Sequence, residues 1–463
     1  MEDLFRHIDD HLDESIAQLA ELCRLRSVSA HPPTAEAIEQ TAEHVAGLLR
    51  DLGFESRVLP KPPGGHPVVY AEQRGASPRT LLFYDHYDVQ PPEPLELWSS
   101  PPFEPALRDG SAEGGSASGG KLYGRGVCDN KGNIAARLAA LRAWKEARGE
   151  LPCAVKFCIE GDEEIGSPHV EEFVEEHSEL LAADACVWEG AGVTWEGIPQ
   201  VTLGVKGLLY VELEANTVSR DAHSSYGTVL PNAAWRLAWA LASIKGPDER
   251  VLIDGFYEAV RPATPEERAA VEAMPSEEAE TLKSYGIEEA LTGARGLDYR
   301  LRHLFEPTAT IDGLSAGYEG EGPKTVLPAR AVAKMDFRLV PDQDPDDMLT
   351  KLQRHLDTRG FSDITVRRLS AERPARTSAS DPFIALVRQA VRDIYGREPI
   401  VVPSMAGTGP LYPFVATLGL PTADIGIGYP EARIHAPDEN IRIEDFQRGA
   451  KAIAALLGRF GEG

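Results

Sequence analysis

The chain has 463 residues and a formal net charge of −26 at pH 7. This length exceeds what one ordinary hydrophobic core accommodates, so we expect two domains. The negative field repels phosphate backbones, which argues against a nucleic-acid partner. The five cysteines are widely spaced and form no CxxC pair. This pattern argues against a disulfide framework and against a thiolate zinc site.

The N-terminal segment MEDLFRHIDDHLDE is acidic and lacks the apolar stretch of a signal peptide. No apolar run reaches the roughly 18 residues that a membrane-spanning helix needs. Together with the cysteine usage, these features lead us to expect a cytoplasmic protein that has no membrane partner.

Predicted helices and strands alternate in the first part of the chain. In order they are a helix over 4–25, a helix over 35–52, the strands VVYAEQ and TLLFYD, a helix over about 133–148, the strand AVKFCIEG, the helix SPHVEEFVEEHSELL and the strand ADACVWEG. A glycine–serine tract at 110–120 has the composition of a flexible surface insertion. The alternation predicts an α/β fold with a mainly parallel sheet flanked by helices.

The pattern changes near residue 206. The following elements are the alternating strand LLYVELEANTV, the helix PNAAWRLAWALASI, an acidic helical stretch over about 262–292, the strand TVLPARAVAKMDFRLV, a helix near 345–358 and the strand DITVRRLS. Helices over 381–395 and 443–460, with strands near 399–403 and 422–427, then resume the first pattern. We therefore predict one domain over 1–206 and 375–463 that is interrupted by an inserted α+β domain over 207–374.

His86 and Asp88 follow the apolar run 81–84 at the end of a predicted strand. Side chains two residues apart in an extended chain point to the same face. Asp88 could therefore accept the second N–H of His86, as a metal-bound histidine usually requires. The alternative interpretation is a simple strand end and turn.

Two further segments, GRGVCDNKG at 124–132 and GDEEIGS at 161–167, contain acidic residues beside glycines. Asp129 is a candidate helix cap, and a phosphate loop would need GKS or GKT spacing that is missing. The adjacent carboxylates at 162–164 repel one another unless cations or protons intervene. In irregular backbone, Glu163 and Glu164 can point to different sides, so that one binds metal while the other moves a proton. A solvated acidic turn is the alternative.

Glu189 ends the strand ACVW, and His435 lies in RIHAPDEN near the end of the chain. Either residue alone is more often structural than a ligand. Together with the preceding segments they supply two histidines and three or four carboxylates. That set suits two divalent ions, with Zn²⁺ the default and Mn²⁺ or Co²⁺ also compatible.

These motifs stand in the order of a known family. HYDVQP, RGVCDNKG, GDEEIGS and MDFRLVPDQDP resemble the co-catalytic zinc metallopeptidases, which include carnosinase-like dipeptidases, carboxypeptidase G, aminoacylase and succinyl-diaminopimelate desuccinylase. The similarity covers nearly the whole chain, and HYDVQP and FRLVP lean toward the dipeptidase branch. The resemblance implies that 1–206 and 375–463 form a catalytic domain and that 207–374 is a lid and dimerisation domain of a homodimer.

The resemblance also implies a role for individual residues at the metal centre. Asp129 would bridge two metal ions per subunit. The remaining ligands would be His86 and Glu189 on one ion, and Glu164 and His435 on the other. Glu163 would be the general base, and Asp88 would orient His86.

Residues of the insert and of the loop MAGTGP would bind substrate. The resemblance implies that His223 reaches the partner subunit's active site and stabilises the tetrahedral intermediate there. The resemblance also implies that Arg338 binds the substrate carboxylate, a task that its planar fork suits. Thr408 and Gly409 would hold the substrate's C-terminal end.

The expected reaction is hydrolysis of an amide bond in a dipeptide or short peptide with a free C-terminal carboxylate. A metal-bridged water would attack, with Glu163 as general base. The chain departs from the resemblance at two positions: carnosinase-like dipeptidases usually have Asp where this chain has Glu189, and many relatives place a small residue where it has Asp85. Glu189 favours the alternative, an N-acyl-amino-acid deacylase with the same centre. A non-catalytic metal-binding protein on this fold is the alternative of a different class.

Overall fold

The computed structural model describes residues 1–30, 35–60, 64–108 and 119–462. The predicted glycine–serine tract at 110–120 lies outside the described residues except for its last two positions. Two compact units are formed. The first comprises Met1–Gly204, Arg376–Pro403 and Pro410–Gly463, and the second comprises Val205–Ala375 and Ser404–Gly409.

The helices and strands are numbered in chain order. The helices are α1 Glu2–Asp10, α2 Leu12–Arg24, α3 Ala35–Asp51, α4 Lys131–Arg148, α5 Val170–Glu176, α6 Ser178–Leu181, α7 Ala233–Ile244, α8 Pro265–Ala273, α9 Glu278–Ser284, α10 Gly296–Phe305, α11 Pro345–Thr358, α12 Pro382–Tyr395 and α13 Ile443–Glu462. The strands are β1 Glu55–Leu59, β2 Val68–Gln73, β3 Ser77–His86, β4 Ala106–Arg108, β5 Lys121–Tyr123, β6 Cys153–Glu160, β7 Ala185–Trp188, β8 Gln200–Thr202, β9 Gly204–Val205, β10 Gly207–Asn216, β11 Ala222–His223, β12 Thr310–Ala316, β13 Val326–Leu327, β14 Arg330–Leu339, β15 Ile364–Glu372, β16 Ala375–Arg376, β17 Ile400–Val402, β18 Thr422–Asp424 and β19 Asn440–Arg442.

The first unit contains a sheet of strand order β1-β2-β6-β3-β7-β18. Strands β6, β3, β7 and β18 run parallel, and β2 and β1 add antiparallel strands at one edge. Helix α3 packs on β1 and β2, while α4 and α13 pack on each other and on β3. This is the predicted α/β class with a mainly parallel sheet. Because the carboxyl ends of parallel strands meet at one edge, β3, β6 and β7 bring the segments that follow them together.

The second unit contains an antiparallel sheet of strand order β12-β14-β10-β15. Burial alternates along β10, as the pattern of LLYVELEANTV predicts. Helices α7 and α11 pack on this sheet. An antiparallel sheet with helices packed on it is the α+β class that we predict for the insert.

The acidic stretch over 262–292 is divided into separate helices, where the sequence pattern predicts one helical segment. A capping box on Thr264 begins α8, which ends before an extended Met274. Met274 precedes a proline, and a residue in that position is driven out of the helical region. Helix α9 follows. Within the described ranges, no helix is long and apolar enough to span a bilayer.

Asp424, at the end of β18, gives the first unit a pH-dependent stability. One of its oxygens accepts the N–H of Thr202 at 2.5 Å, and the other has no hydrogen-bond partner among the described residues. Burial raises the pKa of Asp424 to about 7. An unfolded aspartate titrates near ~3.9. The folded chain therefore binds this proton more tightly, and the group costs stability as pH rises toward 7.

Asp424→Asn should remove this pH dependence. We expect the stability of the variant, relative to the unaltered chain, to increase by roughly 2 kcal/mol between pH 5 and pH 8. Urea unfolding of both proteins at the two pH values measures the difference. If the two proteins differ in stability by the same amount at both pH values, the pKa of Asp424 is not raised in the folded chain.

Candidate metal centre and active site

His86 stands at the end of β3 with its ring buried. Its Nε2 atom lies 3.0 Å from Oδ1 of Asp129 and 3.1 Å from Oε2 of Glu189. Glu189 directly follows β7, the parallel neighbour of β3. The sheet edge therefore brings His86 and Glu189 together, and the loop before α4 adds Asp129.

His435 joins the centre from the last part of the chain. Strand β19 pairs antiparallel with β5, which places the segment after His435 beside the segment before Asp129. Nε2 of His435 lies 3.1 Å from Oδ2 of Asp129 and 3.0 Å from Oε2 of Glu164. The two carboxylate oxygens of Asp129 thus face two different histidines. A carboxylate that bridged two ions would need its two oxygens placed apart in this way.

The surrounding carboxylates shift the pKa of both histidines upward. Hydrogen bonds to Asp129 and Glu164 raise the pKa of His435 to about 10. Burial alone would lower the pKa of His86, but the charges of Glu189 and Glu163 and the hydrogen bond to Asp129 raise it well above its usual value. The site therefore favours positive charge at the two places where the histidine nitrogens face carboxylates.

Glu163, which is partly buried, and Glu189, which is buried, lie among other carboxylates. Burial raises the pKa of Glu163 well above its usual range, and the nearby charge of Asp129 adds to this effect. Burial likewise raises the pKa of Glu189, and the charge of Glu163 contributes. Such a cluster needs cations or protons to offset its charge.

The donor set fits divalent ions. Ligand atoms within each of two groups, His86–Asp129–Glu164 and His86–Glu163–Glu189, lie within 4.8 Å of one another. Imidazole nitrogen and carboxylate oxygen are donors that zinc accepts, and manganese or cobalt accept them too. The residues that the sequence predicts as ligands are therefore brought together by the fold.

Asp88 contacts His86 on the side of the ring opposite Asp129. Its Oδ1 lies 3.3 Å from Nδ1 of His86, and its own carbonyl oxygen lies 3.2 Å from that nitrogen. The carboxylate also accepts the backbone N–H groups of Glu163 at 3.2 Å and Glu164 at 3.0 Å. Asp88 thus links the ring of His86 to the segment of the two glutamates.

Glu439 is a residue of the site that sequence reasoning missed. Its buried carboxylate accepts the backbone N–H groups of Gly126, Cys128 and Asp129, and pairs with Arg125 at 2.8 Å. It therefore holds the loop that presents Asp129. The peptide bond between Asp129 and Asn130 is cis. The available signal was an acidic residue four positions after His435.

Gln90 is a second missed residue, although it belongs to the motif HYDVQP. Its backbone N–H donates to Oε1 of Glu164 at 3.1 Å, and its Nε2 donates to Oε2 of Glu164 at 3.0 Å. Gln90 thereby fixes the carboxylate that faces His435.

The candidate substrate residues lie in the second unit. Nη1 of Arg338 donates to Oγ1 of Thr408 at 2.6 Å, and its Nε pairs with Asp336 at 3.1 Å. Gly409 follows Thr408 in the segment Ser404–Gly409 of this unit. His223 is exposed at the end of β11, where Thr325 lies 3.3 Å from its Nε2. Arg338 and Thr408 are thus in direct contact.

Residues 82–459 match the model of Peptidase family M20/M25/M40. The chain belongs to this family. The Beta-Ala-His dipeptidase of Rattus norvegicus is 27% identical to it over 492 residues, which cover 99% of this chain and 95% of that protein. The Cys-Gly metallodipeptidase DUG1 of Saccharomyces cerevisiae is 25% identical over 488 residues, which cover 99% of this chain and 98% of that protein.

A solved structure of an M20 family metallo-carboxypeptidase, Sso-CP2 from Sulfolobus solfataricus, superposes with a TM-score of 0.88. Its sequence is 37% identical, and the match covers 97% of this chain and 100% of that chain. The predicted family is confirmed, and the relatives support its dipeptidase branch. This M20 chain is a metallopeptidase.

Proposed function

We propose that this M20 peptidase uses two divalent ions, most readily zinc, to hydrolyse dipeptides or short peptides with a free C-terminal carboxylate. The placement of His86 and His435 on the two oxygens of Asp129 carries this proposal. In it, His86 and Glu189 complete the ligands of one ion. Glu164 and His435 complete those of the other.

When bound, the ions polarise the scissile carbonyl and lower the pKa of water. Glu163 takes the proton of the attacking water and delivers it to the leaving nitrogen. Two features support this assignment. Burial raises the pKa of the Glu163 carboxyl, which strengthens it as a base. The hydrogen bond from its backbone N–H to Asp88 fixes its position relative to His86.

Arg338 is the proposed partner of the substrate's terminal carboxylate. Its guanidinium fork suits a carboxylate, and Asp336 and Thr408 hold the fork in place. Thr408 and Gly409 would lie against the same end of the substrate. The relatives named as Beta-Ala-His and Cys-Gly dipeptidases support substrates of dipeptide size.

The second unit is the proposed dimerisation surface of a homodimer, in which His223 would act in the partner's active site. Val229, Trp235 and Trp239 lie on and before α7 and are 73%, 60% and 56% exposed. The two indole rings stack with their centroids 5.8 Å apart. An apolar patch of this kind supports association with another protein surface.

A substrate panel tests the proposal. Zinc-reconstituted protein should hydrolyse dipeptides faster than the corresponding N-acetyl amino acids, and faster than dipeptide amides, because an amide end lacks the carboxylate that Arg338 would bind. Removal of metal with a chelator should abolish hydrolysis, and added zinc should restore it. Preference for N-acetyl amino acids would instead favour the deacylase that Glu189 suggests.

A further inference from the structure

A buried polar network of Asp85, Asn130 and Arg137 lies beside the metal centre. Asp85 directly precedes His86 on β3, and Arg137 projects from α4 with 1% of its surface exposed. The two side chains form a close ion pair. Removing two charges from water is costly, so a buried pair is weak as a stabilising device compared with apolar residues of the same size. A role other than stability is therefore expected.

Arg137 joins the ends of the two strands that precede the ligands of one proposed ion. Its Nη1 donates to the carbonyl of Tyr84 at 2.8 Å, and its Nη2 donates to the carbonyl of Trp188 at 3.0 Å. The paired register of β3 and β7 runs from Leu81 opposite Ala185 to Phe83 opposite Val187. The guanidinium thus links the strands just after their last paired residues, where they lead to His86 and Glu189.

Asn130 carries the contact from Asp85 to Glu189. Its Nδ2 donates to Oδ1 of Asp85 at 3.0 Å and to Oε2 of Glu189 at 3.3 Å. Its Oδ1 accepts from Asn133 at 2.6 Å, which fixes the orientation of the amide. The same Oε2 of Glu189 faces Nε2 of His86. Arg137, Asp85, Asn130 and Glu189 therefore form one continuous chain of contacts.

The ligands on the other side of Asp129 are held differently. Glu164 accepts hydrogen bonds from Gln90 and donates its backbone N–H to Asp88, while His435 faces Glu164 and Asp129. We propose that Asp85 and Arg137 are positioning residues for the ion held by His86 and Glu189, and that they act on it selectively. This inference rests on the proposed dinuclear centre.

Zinc titration of the metal-free full-length chain tests the inference, with Asp85→Asn as the variant. We expect one of two zinc dissociation constants to rise by about 10–100-fold, which is the usual effect of losing a residue that orients a ligand, and the other to stay unchanged. The zinc concentration that half-restores dipeptide hydrolysis should rise by the same factor. At saturating zinc, kcat should return to near that of the unaltered chain, which a general loss of structure would prevent.

Two further variants make the test decisive. Arg137→Lys keeps a positive charge but replaces the rigid guanidinium fork, whose two nitrogens each reach one carbonyl, with a single ammonium on a flexible stem, so it should weaken the same zinc site. It replaces Asp85→Asn as the test if the latter does not fold. Glu160→Gln is the matched control: this buried carboxylate at the end of β6 accepts from Tyr84 and Ser167, and the variant should titrate like the unaltered chain.

If both zinc affinities are unchanged in Asp85→Asn, or in Arg137→Lys, the inference is overturned while the proposed dinuclear centre stands. Equal weakening of both sites would overturn it too, because the positioning would then not be selective. Fewer than two zinc sites in the unaltered chain would overturn the proposed dinuclear centre and this inference with it.

Discussion

Glu163→Ala should lower kcat for dipeptide hydrolysis by roughly 100- to 10,000-fold, the range that a general base contributes, while the chain keeps its zinc. The reason is that the two glutamates of GDEEIGS have different proposed roles, Glu164 as a metal ligand and Glu163 as the base. Glu164 faces His435, whereas Glu163 is partly buried, has a raised pKa and lies 3.9 Å from His86. Steady-state kinetics with parallel measurement of zinc content checks both parts of the prediction.

Glu175→Ala, which changes an exposed glutamate on α5, is the matched control and should leave kcat unaltered. If Glu163→Ala still hydrolyses dipeptides at a rate near that of the unaltered chain, Glu163 is not the base. Loss of zinc together with activity would instead make Glu163 a metal ligand, which its place in a group with His86 and Glu189 also allows.

Asp129→Ala should have a larger effect, because its two oxygens face both histidines of the centre. We expect the variant to lose high-affinity binding of both zinc ions and to show no measurable hydrolysis. Zinc content after dialysis, determined by atomic emission, gives the result directly. Thermal unfolding of the metal-free proteins separates lost binding from lost folding.

Glu160→Gln serves again as the control, because it alters a buried carboxylate at the same edge of the sheet outside the ligand set. Retention of two zinc ions by Asp129→Ala would show that Asp129 does not bridge them. Retention of one ion would assign Asp129 to a single site.

The sequence predicts the ligand-bearing segments because strand periodicity is local. An apolar run that ends in polar residues marks a buried strand and its exit, as in β3 before His86. Parallel strands then place their exits at one edge, so His86 and Glu189 meet without further information. The pairing of His435 with Glu164 came from the family resemblance, because residues so far apart in the sequence share no local pattern.

The parts that were missed depend on tertiary contacts. Gln90 and Glu439 resemble ordinary loop residues until the fold places them on Glu164 and on the Asp129 loop. Strand β12 is largely exposed on both faces and therefore has no alternating pattern. The position of Asp85, which the sequence left unexplained, is accounted for by Arg137, a charged residue on a helix that is buried on nearly all sides over its first half.

Diffraction from crystals of the zinc-loaded protein, recorded at the zinc absorption edge, shows directly whether two ions share Asp129. We expect two anomalous peaks about 3.5–4 Å apart, the usual spacing of paired catalytic metals. They should flank Asp129, one beside His86 and Glu189 and the other beside Glu164 and His435. A single peak at this centre, or peaks that do not share Asp129, would contradict the proposed dinuclear centre.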